Sequence, residues 1–433
     1  MRHLATVSCV LRTPIPAFLP LLVLLLITGC GTSEEFTGFS YDPEGVTETE
    51  TRDVRPMHRR TIGIASEDLW VGSEFEGARM SDFYKAGDSL YRVVIRPENA
   101  PINNSPWYAF RIWSSEKREL RLQLSYEDGE HRYLPELSRD GERWRRIEAS
   151  RYETDTAEGT ATLRLEVGPR PLWVSAQELD TYGRYASWAD SLTGTAAVTR
   201  DTVGRSHLGK PVEKLTLDEV SGEAGKPAGV LVITARQHPP EVTGSMAFRA
   251  FFEELAGHSE LARRFRARFA VWAYPFLNPD GTDRGHWRNN AGGVDLNRDW
   301  RPFNQPETQA VRDDLLPLAE RRDLRVYYGI DFHSTDENIF YPIERQVETF
   351  PDDLTYRWTD AVTSSFPEID FVIDPFDTSS PIMKNWIWRT FGADAVTYEV
   401  NDNADRGELR RVARTSARLL MEQLLEAWES RGS

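Results

Sequence analysis

Between Thr61 and Asp190 apolar and polar positions alternate in short runs, as in "SLYRVVIRP", "WYAFRIWSS", "ELRLQLSYEDGEHRYL" and "GTATLRLEVGP". A period of two predicts strands with one buried and one solvated face. The Asp-Gly pairs in "EDGE" and "RDGE" are the residues expected at hairpin turns. This half reads as an antiparallel β-sandwich.

After Asp190 the pattern changes. The continuous apolar runs "AGVLVITA", "RFAVWAYPF", "RVYYGIDF" and "ADAVTYEV" alternate with helical stretches, among them "SMAFRAFFEELAG", "PETQAVRDDLLPLAERR" and "ELRRVARTSARLLMEQLLEAWES". Strands that are apolar on both faces and separated by helices predict an α/β fold, with a mostly parallel or mixed sheet covered on both sides. At 433 residues two folded domains are the natural expectation.

The N-terminus follows neither pattern. An apolar run from Leu19 to Ile27 is shorter than the ~20 residues a spanning helix needs and fits a secretory signal at 1–29. Its end, Ile27-Thr28-Gly29-Cys30, resembles a bacterial lipoprotein box, which implies lipidation of Cys30 and an exported chain anchored to a membrane. Cys9 is then removed, and no disulfide is expected. Residues 30–60 are polar, rich in Thr and Glu, and read as a flexible tether. The domains expected are therefore a sandwich at 61–190 and an α/β domain at 191–433. A net charge of −16 argues against a nucleic-acid partner, because phosphate binding needs a basic footprint. No partner protein follows from the sequence.

The polar residues of the α/β half gather where its strands end, the place where open α/β sheets bind ligands. "LVITA" runs into His238-Pro239-Pro240-Glu241, "VWAYPF" into Asn278-Pro279-Asp280-Gly281, "YYGI" into Asp331-Phe332-His333, and "AVTY" into Glu399. A catalytic zinc takes three N/O ligands and keeps a position open for water. His238, Glu241 and His333 supply one such set, and Glu399 remains as a base. The two prolines stiffen the corner that must turn both His238 and Glu241 toward one ion. The helix that follows is expected to begin near Thr243 or Ser245, either of which can cap it. Asp331 reads as a loop or helix partner.

The order His-x-x-Glu, Asn-Pro-Asp-Gly, Trp-Arg, Asp-Leu-Asn-Arg, His, Tyr-Glu-Val resembles the zinc metallocarboxypeptidase family over roughly residues 200–425. The resemblance implies one Zn2+ per chain on His238, Glu241 and His333, with Glu399 as general base and acid. It implies that Arg288 of "GHWRNN" polarises the scissile carbonyl. It implies further that Asn297 and Arg298 of "GVDLNRDW" grip the substrate's terminal carboxylate, and that Asp295 orients the first zinc histidine. "ARQHPPEVTGS", "PFLNPDGTDRGHWRNNAGGVDLNRDW" and "DFHSTDENIF" look like the cytosolic carboxypeptidase-like subgroup, which carries a β-sandwich before its catalytic domain and trims glutamates from tubulin tails. An export signal departs from that subgroup, so tubulin is not carried over as substrate.

A second departure is the stretch "DPFDTSSPIMKNWIWRTFGADAVTYEV", which has no tyrosine ahead of Tyr398 to close over a substrate. Tyr398 itself neighbours Glu399 on a strand and should face the other way. Lys384 in the same stretch is a candidate partner for an acidic side chain at the substrate's end. Metal-assisted removal of C-terminal residues from peptides or proteins is the activity expected. Two alternatives are a zinc amidase or deacylase acting on cell-wall peptides or N-acyl amino acids, and a catalytically inactive lipid-anchored binding protein.

Overall fold

Eleven short strands between Thr61 and Ser175 pair into two sheets. The computed structural model describes residues 42–43, 45–193, 197–219, 229–375 and 378–430; segment 1–29, Cys30 and the tether up to residue 41 lie outside them. One sheet runs in the order Thr61–Ile64, Leu69–Gly72, Ala109–Trp113, Leu172–Ser175, Glu136–Ser138, Trp144–Arg146. The other runs Asp82–Gly87, Leu90–Ile95, Arg118–Tyr126, Thr160–Val167, Tyr152–Asp155. Every pairing is antiparallel except that of Leu90–Ile95 with Arg118–Tyr126, which is parallel. "RDGE" closes a hairpin, with Gly141 at φ 75°. "EDGE" instead follows a strand of the second sheet and leads to one of the first, so it crosses between layers.

The inward positions, including Phe110, Ile112, Leu122, Leu124 and Val174, form one buried cluster. Each large apolar side chain removed from water contributes about 1.5–3 kcal/mol. The cluster also takes in Val242 and Trp287 from the α/β half. The two halves thus share a core.

The α/β half is built on an eight-stranded mixed sheet. Its centre is four parallel strands in the order Phe269–Tyr274, Gly229–Ala235, Arg325–Thr335, Asp394–Asn401. All seven residues of Gly229–Ala235 are buried, as an all-apolar strand between two helix layers must be. Helices Val242–Leu255, Leu354–Ser365 and Arg406–Glu429 cover one face through Phe248, Phe251, Trp358 and Leu420. Pro306–Leu315 and Met383–Phe391 cover the other through Val311, Leu315, Met383 and Ile387.

Two expected boundaries move. The last sandwich strand ends at Ser175, and helix Tyr182–Thr193 places Tyr185 and Ala189 in the core of the α/β half. The domain border therefore falls before that helix and not at residue 190. Residues 45–60, read as flexible tether, are docked: Arg52 N–H donates to the Gly292 carbonyl at 2.8 Å, the Gln305 amide to the Thr49 carbonyl at 2.7 Å, and Arg55 N–H to the Glu98 carbonyl at 2.6 Å. They lack apolar periodicity because backbone hydrogen bonds hold them. Among the described residues no helix is long and apolar enough to cross a membrane.

Candidate active site

The strand Gly229–Ala235 ends on Arg236, a non-glycine residue at φ 58°. The Arg236 guanidinium is buried against Asp180 at 2.8 Å, an anchor that offsets the cost of a left-handed backbone. The chain then passes through Pro239 and Pro240 and enters the helix at Val242. This start is one residue earlier than the first expected cap, Thr243. Glu241 holds the N-cap position without capping, because its two carboxylate oxygens lie 2.7 Å from His238 Nδ1 and 2.7 Å from His333 Nδ1. A Cβ on Gly244 would overlap the backbone carbonyl of His333, so only glycine lets this helix approach the His333 strand so closely.

His333 and Glu399 are register partners on adjacent parallel strands, which turns both side chains to one face of the sheet. Tyr398 faces the other way and stacks on Phe340 with ring centroids 4.4 Å apart. The ligating atoms of His238, Glu241 and His333 all lie within 4.8 Å of one another, and all three residues are buried. Each histidine spends its far nitrogen on a carboxylate: His238 Nε2 reaches Asp295 Oδ1 at 2.8 Å, and His333 Nε2 reaches Asp331 Oδ2 at 2.7 Å. Carboxylates behind Nε2 favour the tautomer whose Nδ1 lone pair is offered to a cation shared with the Glu241 carboxylate. Two imidazole nitrogens, each braced from behind, and the Glu241 carboxylate between them fit a zinc ion. The Glu399 carboxylate keeps one buried oxygen, Oε2, without a hydrogen-bond partner. Burial, together with the nearby Glu241 charge, pushes Glu399 up to about 7.

The arginines meet at Asp295. Its Oδ2 accepts from Arg288 Nε at 2.7 Å, while its Oδ1 accepts from the Asn297 N–H at 2.8 Å as well as from His238. Burial opposes the charge, yet Arg288 and His238 hold Asp295 well below the ordinary carboxylate range. The Asn297 side chain lies 3.2 Å from His333 Nε2 and accepts from the Met383 N–H at 3.1 Å. Arg298 presents its fork to a carboxylate within the chain: Nε donates to Asp42 Oδ2 at 3.1 Å and Nη2 to Asp42 Oδ1 at 3.3 Å. Asn103 donates to the same Asp42 oxygen at 2.7 Å.

Lys384 needs correction. It lies in the first turn of helix Met383–Phe391, fully buried, and its ammonium donates to the Pro342 carbonyl at 2.8 Å. The side chain ties helix to strand and does not stand open toward a substrate. Asp331, expected as a loop or helix partner, lies inside the strand Arg325–Thr335 and accepts from Thr234 at 2.7 Å and Gln237 at 2.7 Å besides orienting His333. The signal was present, since Asp-x-His on a strand puts both side chains on one face. Asp42 and Glu98 carried no signal, because their partners lie about 190 or more positions away in sequence.

The model of the zinc carboxypeptidase family matches residues 185–417, more than half of the chain. The chain belongs to that family. Among relatives, an uncharacterized protein of Zymomonas mobilis is 25% identical over 257 residues, covering 57% of this chain and 64% of its own length. Cytosolic carboxypeptidase 3 of Bos taurus is 34% identical over 113 residues, 25% of this chain and 11% of that protein. The chain thus spans less than two thirds of either relative. A metallo-carboxypeptidase structure from Burkholderia cenocepacia shares the fold at a TM-score of 0.67 and 20% identity, covering 84% of this chain and 99% of that one. The fold shared with that structure therefore extends beyond residues 185–417 into the sandwich half.

Proposed function

We propose that this chain is a zinc-dependent exopeptidase that removes single residues from peptide C-termini. The observation that carries the reading is the Arg298 fork, which closes on a carboxylate while its neighbour Asn297 contacts the metal-site histidine His333. Zinc held by His238, Glu241 and His333 supplies a Lewis acid that acidifies water, polarises a carbonyl oxygen and lowers the pKa of a nearby carboxylate. Arg298 and Asn297 hold the terminal carboxylate and so set the register of the scissile bond. Arg288 commits Nε to Asp295 and turns its remaining N–H groups to the oxygen on which negative charge develops. Glu399, with one unpaired oxygen, takes the proton of the attacking water and returns it to the leaving amine.

The test is mass spectrometry on paired peptides with free and amidated C-termini, using the purified, zinc-loaded protein. Single-residue shortening of the free acid only, abolished by a chelator and restored by zinc, is the expected result. Equal cleavage of the amide would replace the exopeptidase reading with an internal amidase. For location, the proposal is a lipid anchor at Cys30, supported by the "ITGC" motif. Incorporation of a labelled fatty acid that persists in Cys30→Ser would refute the anchor.

A further inference from the structure

We infer that the β-sandwich belongs to the catalytic machinery, because its Glu98 is a positioning residue for Arg288. The inference rests on the role of Arg288 proposed above. Glu98 follows the strand Leu90–Ile95 and is fully buried. Three consecutive backbone N–H groups of the α/β half converge on its carboxylate. Trp287 N–H donates to Oε2 at 2.7 Å, Arg288 N–H to Oε1 at 3.0 Å and Asn289 N–H to Oε1 at 2.8 Å.

The neighbouring residue completes the clamp. Asn99 accepts from the Asn289 side chain at 2.8 Å and donates to the Gly293 carbonyl at 2.9 Å. On the near side of Arg288, the Trp287 indole is buried in the sandwich core and donates to the Trp107 carbonyl at 3.1 Å. Gly129 leaves no room for a Cβ beside that indole. The loop is thus gripped before, at and after Arg288, whose side chain alone turns back to Asp295 and the metal site.

The chemistry of the grip is specific. A buried carboxylate is costly to desolvate, and a contact needed only for packing is better made by an apolar side chain. Its nearest side-chain ion pair, Arg79 Nη2, stands off at 4.0 Å, so the backbone amides are its close partners. Removing the carboxylate strands three donors, two of them buried, in the loop that carries Arg288. An ångström of drift there costs roughly 10²-fold in rate.

The experiment compares Glu98→Ala and Glu98→Gln with wild type, alone and combined with Arg288→Ala, in the full zinc-loaded chain. For Glu98→Ala the expected loss in kcat is about 10- to 100-fold with KM within about twofold, zinc stoichiometry unchanged, and faster amide exchange at 287–289. Glu98→Gln, which keeps one acceptor oxygen, should recover part of the loss and carries the test if the alanine variant does not fold. In the Arg288→Ala background Glu98→Ala should cost less than about threefold. Wild-type kcat in both Glu98 variants, a loss that is fully additive with Arg288→Ala, or a parallel loss of zinc and KM would each overturn the inference. A wild-type chain inactive on every peptide would sink the exopeptidase reading instead. The amide-exchange comparison would then still decide whether Glu98 holds the loop.

Discussion

The two halves of this molecule use buried charge differently. In the α/β half, strands that are apolar on both faces end in polar residues, so His238, Glu241, His333 and Glu399 collect on one rim. In the sandwich, alternation sends most charge outward, and the carboxylate that matters to the site sits in a loop after a strand. A parallel sheet displays its chemistry at one edge as a consequence of topology. A sandwich has no such edge, and its contribution depends on what docks against it.

The sharpest break in that comparison comes from the rim itself. Glu399→Gln keeps shape and removes the base, and should lower kcat by about 10² to 10⁴-fold. Zinc content should stay at wild type, because Glu399 is not among the three convergent ligands. Loss of zinc together with activity would mean that Glu399 belongs to the ligand set. Next in size, Arg298→Ala removes a bidentate charged pair worth about 1.5–3 kcal/mol and should cost about 10- to 100-fold in kcat/KM, carried by KM. Discrimination between free and amidated C-termini should vanish with it. A variant that still rejects amides would place carboxylate recognition elsewhere.

Asp42 sets a smaller effect on the same arginine. Its carboxylate occupies the fork that an incoming C-terminus needs, so the two compete, and apparent affinity is reduced by the fraction of time the fork is filled. Asp42→Asn should lower KM by about two- to fivefold and leave kcat unchanged. A KM that rises would show that Asp42 orders Arg298 for its substrate and does not compete with it.

These contrasts also explain what could be read from the sequence. Periodicity of two and continuous apolar runs located both sheets, and the strand ends located the ligands. Asp295 and the two arginines were reached only through motif order, since nothing in their local spacing distinguishes them from other solvated charges. Asp331, expected as a loop or helix partner, lies within the strand Arg325–Thr335, whose period of two puts it on the face of His333. Lys384 misled because it sits in a loop-like stretch, whereas Met383 begins a buried helix. Glu98, Asn99 and Asp42 were illegible for a physical reason. Their work is done by hydrogen bonds across about 190 to 256 positions, and no local pattern encodes the register of two docked domains.

Glu136 sharpens the comparison within the sandwich, where it is the counterpart of Glu98. Both are buried, but burial of Glu98 is outweighed by the charges of His286 and Arg79 and by its N–H donors, which hold it below the ordinary range, whereas the ion pair of Glu136 to Arg146 is long, at 3.6 Å. Burial, with the charge of Glu178 added, pushes Glu136 up to about 7. An acid whose folded pKa lies above its unfolded value near 4.5 leaves the native state holding more protons than the unfolded chain in between. Its contribution to stability is therefore present at low pH and lost as pH rises through about 4.5 to 7. Glu136→Gln removes that slope and should stabilise the fold at pH 8 by about 1–3 kcal/mol relative to wild type, with little change at pH 5. Urea midpoints at the two pH values read the difference, and kcat should not move because Glu136 makes no contact with the site. Equal midpoint shifts at both pH values would mean that the gain comes from packing and not from the titration of Glu136.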